Sequence, residues 1–292
     1  MRIGIAQLAI DADPGRVAAN RDNAARMAAD LFERGAELVV LPELTHHGYF
    51  PKDRHTVEAL GEDLESGTSV GDWMRIARQY HGYIVGGLLE RDDAGLYNAA
   101  VLVGPAGLVA RYRKVHLFDW EKKWLLPGNQ WVAAYLPDLD VTVGLLVCYD
   151  LRFPEAVRQI ADQGADLLAV PTTWTSIGKP VLWDDGGYCL QNHLAIAHAY
   201  CNRLAVVCAD RVGQERGVTY LGASLAVHPS GQVAAGPLAG TAAMARVAEV
   251  DVRAARSKEL GLGNHLVRDR RPELYGGNGA QRTLPGKGRT DP

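Results

Sequence analysis

Three polar residues stand beside apolar runs at three separate places in the chain. They are Glu43 in VVLPELTHHGYF, Lys114 in ARYRKVHLF and Cys148 in GLLVCYDLRFPE. A partly desolvated carboxyl suits a general base near neutral pH, a thiolate is a nucleophile, and a neighbouring ammonium lowers a thiol pKa. Each residue also has a structural interpretation: a solvated loop glutamate, a surface lysine, and a small buried cysteine.

Short apolar runs alternate with longer helical stretches, which is typical of an α/β protein. Helices are predicted at Gly15–Arg34, Val70–Tyr80, Pro154–Asp162 and Val181–Cys201. Strands are predicted at Arg2–Leu8, Glu37–Leu41, Tyr83–Leu89, Tyr97–Val103, Leu108–Tyr112, Val141–Val147, Asp166–Val170, Leu204–Cys208, Ser224–Val227, Gln232–Ala235 and Ala243–Val250. The GPAG turn makes the fourth and fifth of these strands a hairpin.

These elements place the three polar residues at strand ends. Pro42 cannot donate to a sheet ladder, so Glu43 is expected at the mouth of a sheet. Alternation puts Lys114 on the strand face of Tyr112, where it needs a carboxylate partner if it points inward. Cys148 lies at a strand-to-helix turn, where backbone N–H groups can point at a developing oxyanion.

One sequence pattern occurs twice. It consists of Gly-Ala, then an acidic residue, then an apolar run that ends at proline. The two segments are GAELVVLPE from Gly35 and GADLLAVPT from Gly164. They predict two related helix–strand units in a sheet, each with its strand ending where a loop can carry chemistry.

Composition limits the class of protein. The chain has 292 residues, 47% hydrophobic and 22% charged, with a formal net charge of −3. This balance gives no electrostatic reason to expect a nucleic-acid or membrane partner. The N-terminus does not resemble a signal peptide, and four cysteines without a CxxC pair do not indicate a disulfide framework. We therefore expect a cytoplasmic protein with one domain over residues 1–275 and a flexible, Gly-rich tail over 276–292.

Taken together with their flanks and order, these segments resemble the nitrilase superfamily of carbon–nitrogen hydrolases. The resemblance runs from MRIGIAQ to RRPELY and rests on LPELTHHGY, YRKVHLF and GLLVCYDLRFPE, which carry Glu43, Lys114 and Cys148. EKKWLLPG, GADLLAVPTTW and ASLAVHPSGQV also match.

The resemblance implies a Glu-Lys-Cys triad on an α-β-β-α sandwich. Cys148 would attack the carbonyl carbon of an amide, Glu43 would transfer protons, and Lys114 would stabilise the oxyanion with the backbone N–H of Tyr149. Glu121 in DWEKKW would orient Lys114 and the substrate. The resemblance implies no metal or organic cofactor, and it implies subunits paired across the sandwich in a four-layer homodimer or a larger assembly.

The flank CYDLRFPE resembles the amidase-like branches, so hydrolysis of a small carboxamide to a carboxylate and ammonia is the leading hypothesis. N-carbamoyl amide hydrolysis, nitrile hydrolysis, a catalytically silent binding protein and a redox sensor that uses Cys148 are the alternatives. We expect substrate contacts from loop residues and a small aliphatic or aryl-substituted monoamide as substrate. The loop residues expected to contact the substrate are Tyr49, Phe50, Thr173, Trp174 and Trp183, for which packing in the sandwich or at a subunit interface is the alternative. Arg152 is also a candidate, for binding a carboxylate, and bracing of the cysteine turn is its alternative.

Some positions depart from the pattern of the superfamily. HAYCN, with His198 and Cys201, stands where relatives carry a charged pair, and Asp210 stands where asparagine is usual. These departures put the local salt-bridge network in doubt, and the triad less so. His46 and His47 form a pair that is unusual in this family, but adjacent histidines on an extended chain point apart, which argues against a metal site with His116.

Overall fold

The computed structural model describes residues 1–176, 181–238 and 240–275. The chain divides into two units, the first Met1–Ser257 and the second beginning at Lys258. The first unit contains both large sheets and all the residues for which the sequence predicts chemistry.

The helices and strands of the first unit alternate along much of the chain, as the sequence predicts. The strands are β1 Arg2–Ala9, β2 Leu38–Val40, β3 Tyr83–Asp92, β4 Gly95–Gly104, β5 Gly107–Arg113, β6 Val132–Leu136, β7 Val141–Leu145, β8 Leu167–Pro171, β9 Ala205–Ala209, β10 Arg211–Val212, β11 Gln214–Glu215, β12 Val218–Thr219, β13 Leu225–Val227, β14 Val233–Ala235 and β15 Met244–Glu249. The helices are α1 Val17–Glu33, α2 Arg54–Leu60, α3 Thr68–Tyr80, α4 Glu121–Trp124, α5 Pro154–Asp162 and α6 Leu190–Asn202, with 3-10 turns at Pro14–Arg16, Cys148–Arg152 and Val252–Arg256.

Two mixed sheets form the centre of this unit. In the first, the strand order is β10-β1-β2-β3-β4-β5, and β15 pairs antiparallel with β1. In the second, the order is β14-β13-β9-β8-β7-β6. The neighbours β1, β2 and β3 are parallel, as are β7, β8 and β9, so their carboxyl ends lie at the same edge of each sheet.

Strand alternation separates the two faces of the first sheet. Val40 and Val85 belong to the large core cluster that also contains the second sheet, whereas Val39 and Ile84 pack in a separate cluster with α1 and α3. Residues of α5 and α6 cover the second sheet, among them Ile160 and Ala195. The layers are therefore helices, sheet, sheet and helices, and the expected α-β-β-α sandwich is confirmed.

The predicted helix over Val181–Cys201 is wrong in its first half, because α6 begins only at Leu190. The preceding residues form a turn in which Asp184 accepts hydrogen bonds from the backbone N–H groups of Gly187 and Tyr188, each at 2.9 Å. Gly187 has φ +78°, which ends any helical path there. The side chain of Asp184 therefore competes successfully with helix formation.

The described part of the second unit is small. It contains the antiparallel strands β16 Glu259–Gly261 and β17 Asn264–His265, followed by α7 Pro272–Tyr275. The predicted domain boundary after residue 275 stays a prediction, and the predicted tail over 276–292 lies outside the described residues. Among the helices that the structure describes, none has the length and apolar character needed to cross a lipid bilayer.

Candidate active site

Glu43 lies in a loop directly after β2, where its backbone is fixed on two sides. The carbonyl of Pro42 accepts a hydrogen bond from the N–H of Gly87 on β3, at 3.1 Å. On the other side, the N–H of Glu43 donates to the carbonyl of Thr172 at 3.3 Å, and the hydroxyl of Thr173 donates to the carbonyl of Glu43 at 3.3 Å. Thr172 and Thr173 follow β8, so the loops of the two related helix–strand units meet here.

Lys114 follows β5 and its side chain is completely buried. Its N–H donates to the carbonyl of Asn98 on the neighbouring strand β4, which extends the sheet register by one residue. The ammonium lies 2.7 Å from Glu43 Oε1 and 2.9 Å from Glu121 Oε1. The carboxylate partners that an inward lysine needs are thus present.

Asn98 also joins the two carboxylates, through the same oxygens that contact the lysine. Its Nδ2 donates to Glu43 Oε1 at 2.7 Å and to Glu121 Oε1 at 2.8 Å. Glu121 also accepts hydrogen bonds from the hydroxyl of Tyr49 and from the N–H of Phe118, so both of its oxygens have partners. In contrast, Glu43 Oε2 is buried without any hydrogen-bond partner.

Cys148 begins the 3-10 turn that connects β7 to α5, and it is half-buried. Its φ of +44° lies in the left-handed region, which residues other than glycine rarely adopt. Asp150 holds this turn: it accepts hydrogen bonds from the N–H of Val147 at 3.0 Å and from the hydroxyl of Tyr112 at 2.8 Å. The strained backbone is therefore fixed by a buried carboxylate two residues later.

The electrostatics of the cluster favour a neutral thiol in the resting protein. Burial and the charge of Glu43 raise the pKa of Cys148 well above its ordinary value, although Lys114 acts in the opposite direction. Burial alone would lower the pKa of Lys114, but the charges of Glu121 and Glu43 raise it, so the amine stays protonated. Burial also raises the pKa of Glu121, as does Glu43. These mutual effects show that the sulfur, both carboxylates and the ammonium act on one another.

The thiol opens into a cavity of about 230 Å³. Of the residues for which the sequence predicts substrate contacts, the wall contains Tyr49, Arg152, Thr173 and Trp174, and Tyr149 also lines it. The other lining residues are Phe118, Leu151, Thr175, Gln191 and Leu194. Trp183 and Phe50 do not line it: Trp183 is 41% exposed and pairs with Cys189, and Phe50 lines a separate cavity of about 680 Å³.

The histidines that the sequence singles out have separate partners. Nδ1 of His46 contacts Ser69 Oγ at 2.7 Å, Nδ1 of His47 contacts the carbonyl of Gly48 at 2.8 Å, and Nδ1 of His116 contacts an oxygen of Asp150 at 2.9 Å. Within residues 1–176, 181–238 and 240–275, no group of three or more histidine, cysteine or acidic side chains is arranged to hold a metal ion.

The positions that depart from the superfamily pattern have structural partners. Nε2 of His198 contacts the carbonyl of Leu151 at 2.9 Å, which ties α6 to the cysteine turn, and Cys201 is exposed. The carboxylate of Asp210 accepts hydrogen bonds from the N–H of Trp174 at 2.9 Å and from the N–H of Ala223 at 3.0 Å. Asp210 thus supports one wall of the cavity from behind.

Sequence reasoning missed Asn98 and Asp150. Both are polar residues beside apolar runs, in LYNAAVLVG and LLVCYDL. That context was a usable signal, because a buried polar side chain needs a partner. Their partners, however, lie tens of residues away in the chain and are brought close only by the sheet.

Known proteins resemble this chain over most of its length. Residues 2–258 match the family model described as carbon-nitrogen hydrolase. A nitrilase from Pyrococcus abyssi is 35% identical over 257 residues, which is 88% of this chain and 92% of that protein. An omega-amidase from Homo sapiens is 30% identical over 274 residues, which is 87% of this chain and 91% of that protein.

Among solved structures, a mutant of the amidase from Nesterenkonia sp. AN1 superposes with a TM-score of 0.73 at 28% identity, covering 94% of this chain and 95% of that one. It shows covalent addition of the acetamide moiety of fluoroacetamide at the active-site cysteine. The match of the family model over nearly the whole first unit is the decisive finding. The chain therefore belongs to the carbon-nitrogen hydrolase family, in the amidase-like branch of the nitrilase superfamily, and is a cysteine-dependent carbon–nitrogen hydrolase.

Proposed function

We propose that this protein hydrolyses small carboxamides to a carboxylate and ammonia through a thioester on Cys148. The observation that carries this proposal is the asymmetry of Glu43. Its Oε1 is held by Lys114 and Asn98, while its buried Oε2 has no partner. A buried carboxylate oxygen left unpaired is costly, and such groups concentrate where a reaction uses them. We assign Oε2 as the atom that accepts the thiol proton.

The first half-reaction follows from that assignment. The proton of the Cys148 thiol moves to Glu43, and the sulfur attacks the carbonyl carbon of the amide. The carbonyl π electrons move to oxygen. Because the pKa of the thiol is raised, the resting sulfur keeps its proton and a base must remove it as attack proceeds. This is why a general base within the cluster is required.

Lys114 supplies the positive charge for the oxyanion. An ammonium has three N–H donors, and two of them are directed at Glu43 and Glu121. We assign the third N–H, with the backbone N–H of Tyr149, to the substrate oxygen. When the tetrahedral intermediate collapses, Glu43 returns its proton to the nitrogen, the C–N bond breaks and ammonia leaves.

The second half-reaction uses the same carboxylate. Glu43 takes a proton from water, and the resulting hydroxide attacks the thioester carbonyl. Collapse of this second intermediate breaks the C–S bond, and the proton returns from Glu43 to the sulfur of Cys148. Glu121 would orient Lys114 in both steps through its 2.9 Å contact.

The cavity supports a compact acyl group. A volume of about 230 Å³ lined by Tyr49, Phe118, Tyr149 and Trp174 suits a small aliphatic or aryl-substituted monoamide. Arg152 lines the same cavity and is exposed, so it could bind a polar far end of the substrate. Thr173 places its backbone N–H against the thiol, where it would also contact the bound acyl group.

The test is an ammonia-release assay against panels of primary amides, N-carbamoyl compounds and nitriles. We expect turnover of amides and an acyl adduct on Cys148 detected by mass spectrometry. Cys148→Ala should abolish both, while Cys201→Ser, which changes an exposed thiol outside the cavity, should leave both unchanged. Turnover confined to nitriles or N-carbamoyl compounds would reject the amidase assignment, and ammonia release by Cys148→Ala would reject the mechanism.

A further inference from the structure

The segment from His47 to Phe50 carries Tyr49 into the catalytic cluster, and Glu215 holds it from the far side. The N–H of Tyr49 donates to Glu215 Oε2 at 2.7 Å, and the N–H of Phe50 donates to Glu215 Oε1 at 2.9 Å. The hydroxyl of Tyr220 also donates to Oε2. Glu215 lies on the short strand β11, outside the superfamily motifs that point to the catalytic residues, and is only 6% exposed.

The approach of this carboxylate to the segment is close. A Cβ atom added at Gly48 would lie 2.6 Å from Glu215 Oε1, so the contact requires a glycine there. Arg211 fixes the start of the same segment, because its guanidinium donates to the carbonyl of His47 at 3.0 Å. The guanidinium also lies 4.4 Å from the centre of the Tyr220 ring. The segment is thus held by two buried, oppositely charged side chains.

The other end of Tyr49 reaches the reacting groups. Its hydroxyl donates a hydrogen bond to Glu121 Oε1 at 3.0 Å, and the same oxygen accepts a hydrogen bond from the ammonium of Lys114 at 2.9 Å. A continuous series of hydrogen bonds therefore runs from Glu215 through the backbone and hydroxyl of Tyr49 to Glu121 and Lys114. Glu215 itself is absent from the wall of the catalytic cavity.

We propose that Glu215 is a positioning residue of this enzyme, which sets the Tyr49 hydroxyl and through it the Glu121–Lys114 pair. This inference rests on the proposed function for its kinetic readout. Glu215 touches neither the thiol nor the acyl cavity, so its effect on turnover passes through Tyr49. Its side chain would govern the rate of the chemical step more than the binding of the substrate.

The substitution Glu215→Gln tests this at nearly constant volume. A carboxamide keeps one acceptor oxygen but places an NH₂ group against one of the two backbone N–H donors. The segment must then move to separate the two donors, and the Tyr49 hydroxyl moves with it. We expect kcat on a primary amide to fall about tenfold to a hundredfold, with KM changed by less than about threefold, because misplacement of a group that orients the cluster acts on the reacting geometry.

A double-mutant cycle with Tyr49→Phe separates positioning from general destabilisation. If Glu215 acts through the Tyr49 hydroxyl, Glu215→Gln should lower kcat by less than about threefold in the Tyr49→Phe background. Additive losses in the two backgrounds would overturn the proposal. Gln214→Ala, on the same short strand but exposed and bonded to Thr219, is the matched control and should keep wild-type kcat.

The rate at which iodoacetamide alkylates Cys148, followed by mass spectrometry, gives a second readout that does not require turnover. We expect Glu215→Gln to change the alkylation rate less in the Tyr49→Phe background than in the wild-type background. A wild-type protein that is alkylated but hydrolyses no amide would reject the proposed function, while the alkylation cycle would still decide the role of Glu215. If Glu215→Gln does not fold, Gly48→Ala displaces the same segment and replaces it in the cycle, with additivity again the refuting result.

Discussion

Gly87 on β3 provides a direct test of how accurately Glu43 must be placed. A Cβ atom added there would lie 2.6 Å from Glu43 Cα, 2.7 Å from the Pro42 carbonyl oxygen and 2.9 Å from the Leu44 nitrogen. All three are backbone atoms, so no side-chain rotation relieves the contact. The backbone of Leu44 already has a φ of +46°, a region that residues other than glycine rarely adopt, so it has little freedom to move away.

The size of the expected effect follows from these distances. Ordinary contact begins near 3.4 Å, so Gly87→Ala must move the two backbones apart by about 0.8 Å. Over-packing of this kind costs about 1–3 kcal/mol of the free energy of unfolding. A displacement near 1 Å of a group that takes part in the chemistry lowers the rate by about 10²-fold. We therefore expect kcat/KM of Gly87→Ala to fall by about that factor.

The assay is ammonia release from a primary amide, with thermal unfolding measured in parallel. Gly71→Ala is the matched control, because a Cβ atom there meets nothing within 4 Å and the residue lies inside α3. That variant should keep its activity and gain about 0.5–1 kcal/mol in stability, since alanine is favoured over glycine in a helix. If Gly87→Ala keeps activity within about threefold of wild type, Glu43 does not need the close backbone approach on which this reasoning depends.

Three further substitutions test the surroundings of the site. Burial raises the pKa of Asp210 to about 6, so folding favours the protonated form of this carboxyl. The resulting stabilisation, up to about 3 kcal/mol, is lost as the pH rises from about 4 through 6. Denaturant titrations of Asp210→Asn at several pH values should lack this loss, and an equal pH dependence in both proteins would contradict the expectation. Tyr112→Phe removes one donor from buried Asp150 and should cost about 1–3 kcal/mol in chemical denaturation, and unchanged stability would show that the cysteine turn does not depend on that contact. Asn98→Asp replaces the amide donor by a third carboxylate and should lower kcat/KM at least about tenfold, and wild-type kinetics would refute its bridging role.

Local sequence placed Glu43, Lys114 and Cys148 at the ends of strands, but it was the resemblance to the superfamily that favoured a chemical role for them over their structural alternatives. β2 ends at Val40, shortly before Pro42, which has no backbone N–H to donate to a sheet. The apolar run before Cys148 likewise cannot continue into the polar segment YDLRFPE. Gly35 and Gly164, which begin the repeated sequence pattern, each follow a helix and have positive φ. The expectation that the two units share a sheet is wrong, because β2 and β8 lie in different sheets. The pattern identified the related units without showing that they face each other.

The elements that sequence could not predict depend on contacts distant in the chain. The first half of the predicted helix at Val181 fails for a local reason instead. The side chain of Asp184 accepts a hydrogen bond from the N–H of Tyr188, four residues later, and Gly187 has a positive φ, so a turn forms. Glu215 lies in a short polar segment, GQERG, which reads as an exposed turn. Its burial follows only from the docking of the Tyr49 segment, because a carboxylate is stable there once three donors converge on it.

The net charge of the buried cluster connects the fold to the chemistry. Lys114 lies between two carboxylates, so one negative charge remains in a site from which water is largely excluded. Burial and the charge of Glu43 raise the pKa of Cys148, so a free thiolate is a poor resting state. The charges of Glu121 and Glu43 keep the amine of Lys114 protonated against the effect of burial on its pKa. In the proposed mechanism the proton of the sulfur moves to Glu43, so the total charge of the cluster stays constant. Burial and the charge of Glu43 thus favour proton transfer that accompanies attack on the substrate over an ion pair formed in advance.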